Sequence, residues 1–237
     1  MSKIVELSVA NTLKVNRNQE AVSTGVPLPR ELQIKDTKKL KLRDESGHEV
    51  PAQFQPLAWW TDKRTVKWVL IHFQADVPYY SSSKYTLHYD SEFDGNNASS
   101  VAQVENDRVL IDTGELRCSI EKVTGIFAEF KVKTESLWWN CTSGDSAGPE
   151  LILTTIDDKK WRLGAPREFI VEDNGSERAV LKLTGNYESM EKKGYSHPSF
   201  TYEVRLEFYK GHADMKWTHT IIGQQADELA GLVLHVP

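Results

Sequence analysis

Apolar and polar residues alternate along almost the whole chain. Val5, Leu7 and Val9 are separated by polar neighbours, Leu32 and Ile34 and then Leu40 and Leu42 repeat the pattern, and Tyr85, Leu87 and Tyr89 share one side of "KYTLHYD" (84–90). A period of two sends successive side chains to opposite faces of an extended strand. No segment carries the 3.6-residue period with capping residues that an amphipathic helix requires. A chain of 237 residues patterned this way is all-β, long enough for one large domain or two ordinary ones and for a sizeable core.

Turn signals divide the pattern. Ser46-Gly47 separates two strands, and "TVKWVLIHF" (65–73) is apolar enough for burial on both faces. The segment 19–31, with two prolines and a glycine, reads as a loop that enters a strand. Small and polar residues with Asp94-Gly95 interrupt the alternation, which places a linker at 93–106 between a first domain, 1–92, and a second, 107–237. The second half repeats long strands at 107–112, 115–122, 124–132, 151–157, 168–174, 176–188, 200–211, 213–223 and 230–237, joined by glycine-containing turns, which predicts a large antiparallel sandwich. The apolar "AGLVLHVP" at the end (230–237) predicts that the chain is the N-terminal part of a longer protein and that the sandwich is truncated.

The net charge of −5 supplies no basic field for a phosphate backbone, so nucleic acid is excluded as a partner. No apolar run reaches the ~18 residues of a membrane span. The start, "MSKIVELSVANTLKV", alternates where a secretory leader would run apolar without interruption, so a cytoplasmic location is expected. Asn97-Ala-Ser, Asn140-Cys-Thr and Asn174-Gly-Ser then read as chance matches to the glycosylation acceptor pattern. Two cysteines, Cys118 and Cys141, make no disulfide framework, and Cys118 reads as a small core residue on a strand.

The candidate chemistry lies in three places. In "WWTDKRTVKW" (59–68), Trp59 and Trp60 must face opposite sides of their strand, while Trp68 shares a face with Val66 and Leu70 and is expected in the core. The tryptophan left outside, with Trp59 as the candidate, can stack on a sugar ring or meet a neighbouring domain. Trp138 and Trp139 raise the same choice at the root of the polar stretch 140–150. Tyr195 and His197 precede a strand that carries Arg205 on the side opposite Tyr202, Val204, Leu206 and Phe208. Tyrosine, histidine and arginine can supply an acid, a base and neutralisation of a carboxylate, although common loop residues at this spacing form no recognised motif. His219, alternating with Trp217 and Ile221, reads as a buried, hydrogen-bonded histidine. No paired Cys or His spacing implies a metal and no cofactor is expected, while acidic loops such as Asp157-Asp158 or Asp90–Asp94 leave calcium open without supporting it. Phosphate-loop, dinucleotide and nucleophile-elbow motifs are absent.

Longer segments carry a family resemblance. "GVPLPRELQ" (25–33), "KLRDESGHEVPAQFQPLAWWTDKRTVKWVLIHF" (41–73) and "YTLHYD" (85–90) are similar to the N-terminal RIFT-type barrel of the exo-rhamnogalacturonan lyase and YetA-like family. That pattern opens with Gly-Val-Pro-x-Pro and reaches a Trp-Pro-Asp-Gly-Ser-x-Lys-Trp hairpin. Here Thr61, Lys63 and Arg64 replace the proline, glycine and serine, and one residue is inserted. "LIDTGELRCSI" (110–120), "EDNGSERAVLKLTGNY" (172–187) and "TYEVRLEFYKGHADMKWTHTI" (201–221) resemble the family's central β-sandwich. The resemblance implies a small barrel, a sandwich and then a C-terminal α/α toroid in cis, which these residues do not contain. It also implies cleavage of acidic, rhamnose-containing polysaccharide by β-elimination. In that reading a base removes the proton beside a neutralised uronate carboxylate and an acid protonates the leaving oxygen. These residues alone would be inactive, and the Trp hairpin would belong to the barrel's structural signature. A glycan-binding module without turnover and a structural assembly module are the rival expectations.

Overall fold

The computed structural model describes residues 2–93, 99–125, 127–141, 150–223 and 229–235. It is all-β, and it divides into two compact units, Met1–Ser99 and Ser100–Pro237. Among the described residues no helix is long and apolar enough to cross a membrane.

The first unit contains β1 (Ser2–Asn11), β2 (Arg17–Pro27), β3 (Leu40–Asp44), β4 (Glu49–Val50), β5 (Ala52–Trp59), β6 (Val66–Val77) and β7 (Ser81–Tyr89), with 3-10 turns at Arg30–Leu32 and Thr37–Lys39. A four-stranded sheet runs β1-β7-β3-β4 and a three-stranded sheet runs β2-β6-β5. Their apolar faces enclose Val26, Leu40, Leu42, Val69, Ile71, Phe73 and Leu87, with the Phe73 and Tyr85 rings edge-on at 4.8 Å. Buried Asn11 closes one end. Its amide nitrogen donates to the carbonyls of Val15, Val77 and Pro78, and its oxygen accepts from Leu13 N–H.

Two expectations fail in this unit. The segment 19–31 is mostly strand, because β2 is an edge strand, where Pro27 removes no hydrogen bond the ladder needs. Trp68 is not in the core: it is 39% exposed. Irregular pairing between Pro56 and Ala58 and between Ala58 and Trp59 shifts the register against β6. Val66 and Val69, three residues apart, are therefore both buried, and Trp68 falls on the opposite face. There its indole lies over Gly25, where an added Cβ would stand 2.5 Å from Nε1.

The second unit contains β8 (Ala102–Val104), β9 (Arg108–Asp112), β10 (Leu116–Glu121), β11 (Phe127–Thr134), β12 (Leu137–Asn140), β13 (Glu150–Thr155), β14 (Lys160–Asn174), β15 (Arg178–Ser189), β16 (Ser196–Tyr209), β17 (Met215–Gly223) and β18 (Leu229–His235). A five-stranded sheet ordered β12-β11-β10-β9-β8 faces a six-stranded sheet ordered β17-β16-β15-β14-β13-β18. The alternating residues of both fill one core, among them Leu116, Ile120, Leu181, Val204, Leu206 and Phe208. Cys118 is a core residue, as its strand position predicts, and burial pushes its thiol well above the usual range. The stretch read as a linker, 93–106, contributes β8, and Val101 and Ala102 are buried.

One end of the sandwich is stapled between sheets. The Asn174 side chain copies a strand, accepting from Ala102 N–H and donating to Ala102 C=O. Thr113 Oγ1 donates to His212 C=O at 2.6 Å, and Gly211 N–H donates to Thr113 C=O at 2.7 Å. Gly114 and Gly211 take left-handed backbone (φ 94° and 75°) to make these turns meet.

Candidate functional site

The opposite end of the six-stranded sheet carries the tips of two neighbouring hairpins. The β13–β14 tip closes through Thr155 N–H to Lys159 C=O at 3.0 Å and Asp158 N–H to Thr155 C=O at 2.9 Å. The β15–β16 tip is shaped by Ser189 Oγ, which accepts from Glu191 and Lys192 N–H, and by Gly194 in left-handed backbone (φ 73°). Met190 N–H donates to Lys160 C=O at 3.0 Å and ties the tips together. Between them lies a cleft of about 480 Å³ lined by residues of both, including Thr155, Asp157, Lys159, Lys192, Tyr195 and His197. That volume falls in the ordinary range for a small-molecule site, roughly 300–1,000 Å³.

Buried Trp161 forms its floor. The indole N–H donates to Thr155 Oγ1 at 3.2 Å, with the His197 ring edge-on at 4.4 Å and the Tyr195 ring tilted at 5.9 Å. Tyr195 is the accessible wall, 47% exposed, and Lys192 Nζ sits 5.1 Å from its ring centre. Asp157 accepts from Lys159 Nζ and Thr155 Oγ1, bonds that hold its carboxyl at about 2.

Of the three residues named for acid–base work, the fold brings two together. Tyr195 and His197 share the cleft. His197 Nδ1, however, accepts from Ser199 N–H at 3.1 Å and Phe200 N–H at 3.2 Å, which places the ring proton on Nε2 and leaves Nδ1 no lone pair for a substrate proton. Arg205 is not among the cleft residues. On the outer face of the six-stranded sheet it donates to Glu172 at 2.7 and 3.0 Å and pairs with Glu203, which Lys182 also holds at 3.2 Å. Its charge is matched by two carboxylates. The alternation that put it opposite Val204 and Leu206 is the physical reason it misses the cleft.

The tryptophans named as sugar contacts scatter. Trp138 is half-buried under the Arg117 guanidinium, 4.4 Å from its ring centre, and Arg117 is held by Asp112 at 2.9 Å. Trp139 is 61% exposed on edge strand β12, beside residues 142–149, which lie outside the described residues. Trp59 is 50% exposed at the end of β5. Among the described residues no group of three or more His, Cys, Asp or Glu side chains is placed to hold a metal ion. Asp157 is committed as above, Asp90 accepts from Glu92 N–H, and Asp94 lies outside the described residues. The cleft's floor and cations, Trp161, Lys159 and Lys192, carried no pattern in the sequence beyond the Asp157-Asp158 turn beside them.

His219 is half-buried rather than fully buried. Its Nε2 and the hydroxyl of fully buried Tyr187 share a 2.5 Å hydrogen bond, while buried Nδ1 has no hydrogen-bond partner among the described residues. An imidazolium would present two N–H groups to one partner, and burial lowers the ring to about 4 from the usual 6.5. The unfolded chain therefore takes up this proton first as the pH falls. Stability that is complete above about pH 6.5 is expected to decline between about 6.5 and 4. In urea titrations across that window His219→Gln should flatten the decline, and an unchanged slope would assign it to other groups.

Comparison with known proteins agrees with this architecture. Residues 8–89 match the PcRGLX-like N-terminal RIFT barrel domain and residues 100–236 match the PcRGLX-like protein central beta sandwich domain. No curated protein matches the sequence. A solved structure described as a protein in the Glycosyl Hydrolase Family 38 from Enterococcus faecalis is similar in fold, with a TM-score of 0.58 at 13% identity over 99% of this chain. The chain spans 32% of that protein's length. With one family matched across both units in order, the chain belongs to the PcRGLX-like proteins, a rhamnogalacturonan lyase-related family, and comprises their RIFT barrel and central β-sandwich.

Proposed function

We propose that this chain is the supporting portion of a polysaccharide lyase-like protein that acts on acidic, rhamnose-containing polysaccharide by β-elimination, and that its own part is to hold sugar in the hairpin-tip cleft. One observation carries this reading. The cleft gathers an aromatic wall, a second ring beneath it and two lysines, yet it lacks a complete elimination set, since His197 Nδ1 is committed to backbone and Arg205 lies elsewhere. Tyr195 offers a flat face for a pyranose, and Lys192 beside it suits a uronate carboxylate. Such a site binds and orients substrate, while removal of the proton beside the carboxylate requires a base that a further domain, the α/α toroid, would supply.

The test separates binding from turnover. Rhamnogalacturonan oligosaccharides titrated into this chain are expected to change its tryptophan fluorescence without producing the ultraviolet absorbance of an unsaturated uronate. Tyr195→Ala should weaken binding by about fivefold, the loss of one stacking contact of roughly 1 kcal/mol. Turnover by the chain alone, or binding unaltered in Tyr195→Ala, would defeat the proposal.

A further inference from the structure

The chain contains a single Asn-Gly pair, Asn174-Gly175. It stands where β14 turns into β15, with Asn174 paired to Ala179. Such a pair is primed for a reaction with itself. The backbone nitrogen after an asparagine can attack the side-chain amide carbon, and a glycine there carries no Cβ to obstruct the approach. The fold commits both reacting groups elsewhere. Asn174 Nδ2 donates to Ala102 C=O at 3.0 Å and its Oδ1 accepts from Ala102 N–H at 3.2 Å, so the amide is directed toward β8 and away from its own backbone. Gly175 N–H donates to Arg178 C=O at 3.0 Å, and Gly175 C=O accepts from Val101 N–H at 2.8 Å. Lys210 N–H holds the same turn through Glu177 C=O at 3.0 Å. Asn174 is nonetheless exposed to solvent, so hydrogen bonding and not burial is what restrains it.

We propose that Asn174-Gly175 is a deamidation site that the native staple keeps unreactive, and that its reaction bars the second unit from its native fold once the staple has opened. In the reaction Gly175 N bonds to Asn174 Cγ, and the proton it loses leaves, through solvent, with the side-chain nitrogen as ammonia. The cyclic imide so formed takes up water at either carbonyl and opens to aspartate or isoaspartate. Water is consumed, ammonia is released and nothing is oxidised or reduced. The product cannot rebuild the staple. A carboxylate has no N–H for Ala102 C=O, so two acceptors face each other. The new charge also joins Glu172, Asp173 and Glu177 in the same stretch, while Arg178 is already held by Asp173 and Glu207. Opening exposes the reaction and the reaction prevents closing, which turns a reversible loss of structure into an irreversible one.

The test incubates the whole chain at mildly alkaline pH with and without denaturing urea and follows the peptide that contains residues 174 and 175 by mass spectrometry. In urea that peptide is expected to gain the mass of an amide-to-acid exchange at least about tenfold faster than in native buffer, since only the opened form reacts. Gly175→Ala should slow the exchange in urea, which assigns it to the cyclic route over direct hydrolysis. Measured in urea, that comparison does not depend on whether the variant folds. After removal of urea, the wild-type chain should fail to regain its native fluorescence in proportion to its deamidated fraction. Asn174→Asp, which carries the product's charge on an unaltered backbone, should have a lower urea midpoint than the wild type. Equal rates with and without urea, no exchange at Asn174 in urea, or full recovery of the deamidated chain would overturn the proposal.

Discussion

Replacing Arg178 with methionine is expected to destabilise the sandwich unit by about 3–5 kcal/mol, the cost of breaking a buried ion pair from one side. Arg178 lies near-buried between two near-buried carboxylates, at 2.5 Å from Glu207 and 3.6 Å from Asp173. Burial alone would push the Glu207 carboxyl up, but Lys216 at 2.9 Å, Tyr209 at 2.7 Å and Arg178 together outweigh it and hold it at about 2. A group depressed in this way stabilises the fold fully above its unfolded value near 4.5 and ceases to do so as the pH falls toward 2. Arg178→Met should therefore lower stability at neutral pH and also flatten the acid limb below about pH 4.5. Urea unfolding of the second unit measures both. The cycle with Glu207→Gln should show strong coupling, and a loss under about 1 kcal/mol would mean that the pair is effectively solvated.

Gly185→Val is expected to cost about 2–5 kcal/mol by a different route, overpacking together with a lost buried hydrogen bond. Gly185 pairs directly with Tyr202 across β15 and β16. The buried tyrosine ring lies over it, and an added Cβ would stand 2.5 Å from Oη and 2.6 Å from Cζ. The ring could not stay, and its 2.7 Å hydrogen bond to Gly164 C=O would go with it. Tyr202→Phe should cost only the hydrogen bond, about 1–3 kcal/mol. Pairing Gly185→Val with Tyr202→Leu should give less than the sum, because the second change restores room. Additive effects would show that the glycine matters for its backbone and not for the ring above it. The same device recurs where Phe200 lies over its partner Gly223 and where Trp68 lies over Gly25.

These two sites also show what the family-like segments are made of. In "EDNGSERAVLKLTGNY" the arginine is the centre of a buried ion pair and the glycine is the seat of a tyrosine ring. In "LIDTGELRCSI" Thr113 and Gly114 staple one sheet to the other. Their segments were recognisable in the sequence, but their roles were not, since each depends on a partner about 15 to 100 residues away and carries no local pattern.

The all-β class, the antiparallel strands and the core faces of β7 and β16 were legible from alternation alone, because a strand has only two faces and the apolar one must be buried. Register and convergence were not. An extra residue in β6, Lys67, carried Val66 into the core and left Trp68 with Leu70 on the face away from it, and an edge position turned a proline-rich stretch into β2. Tyr195 and His197 could be singled out at the entry to a strand, although His197 lies already within β16 rather than in the loop, but Trp161, Lys159 and Thr155 joined them only because two hairpins end side by side. Period-two patterning says which side of a sheet a residue takes. Which hairpin tips meet, and which charges are paired when they do, is decided by strand order and long-range packing, and no short stretch of this chain encodes either.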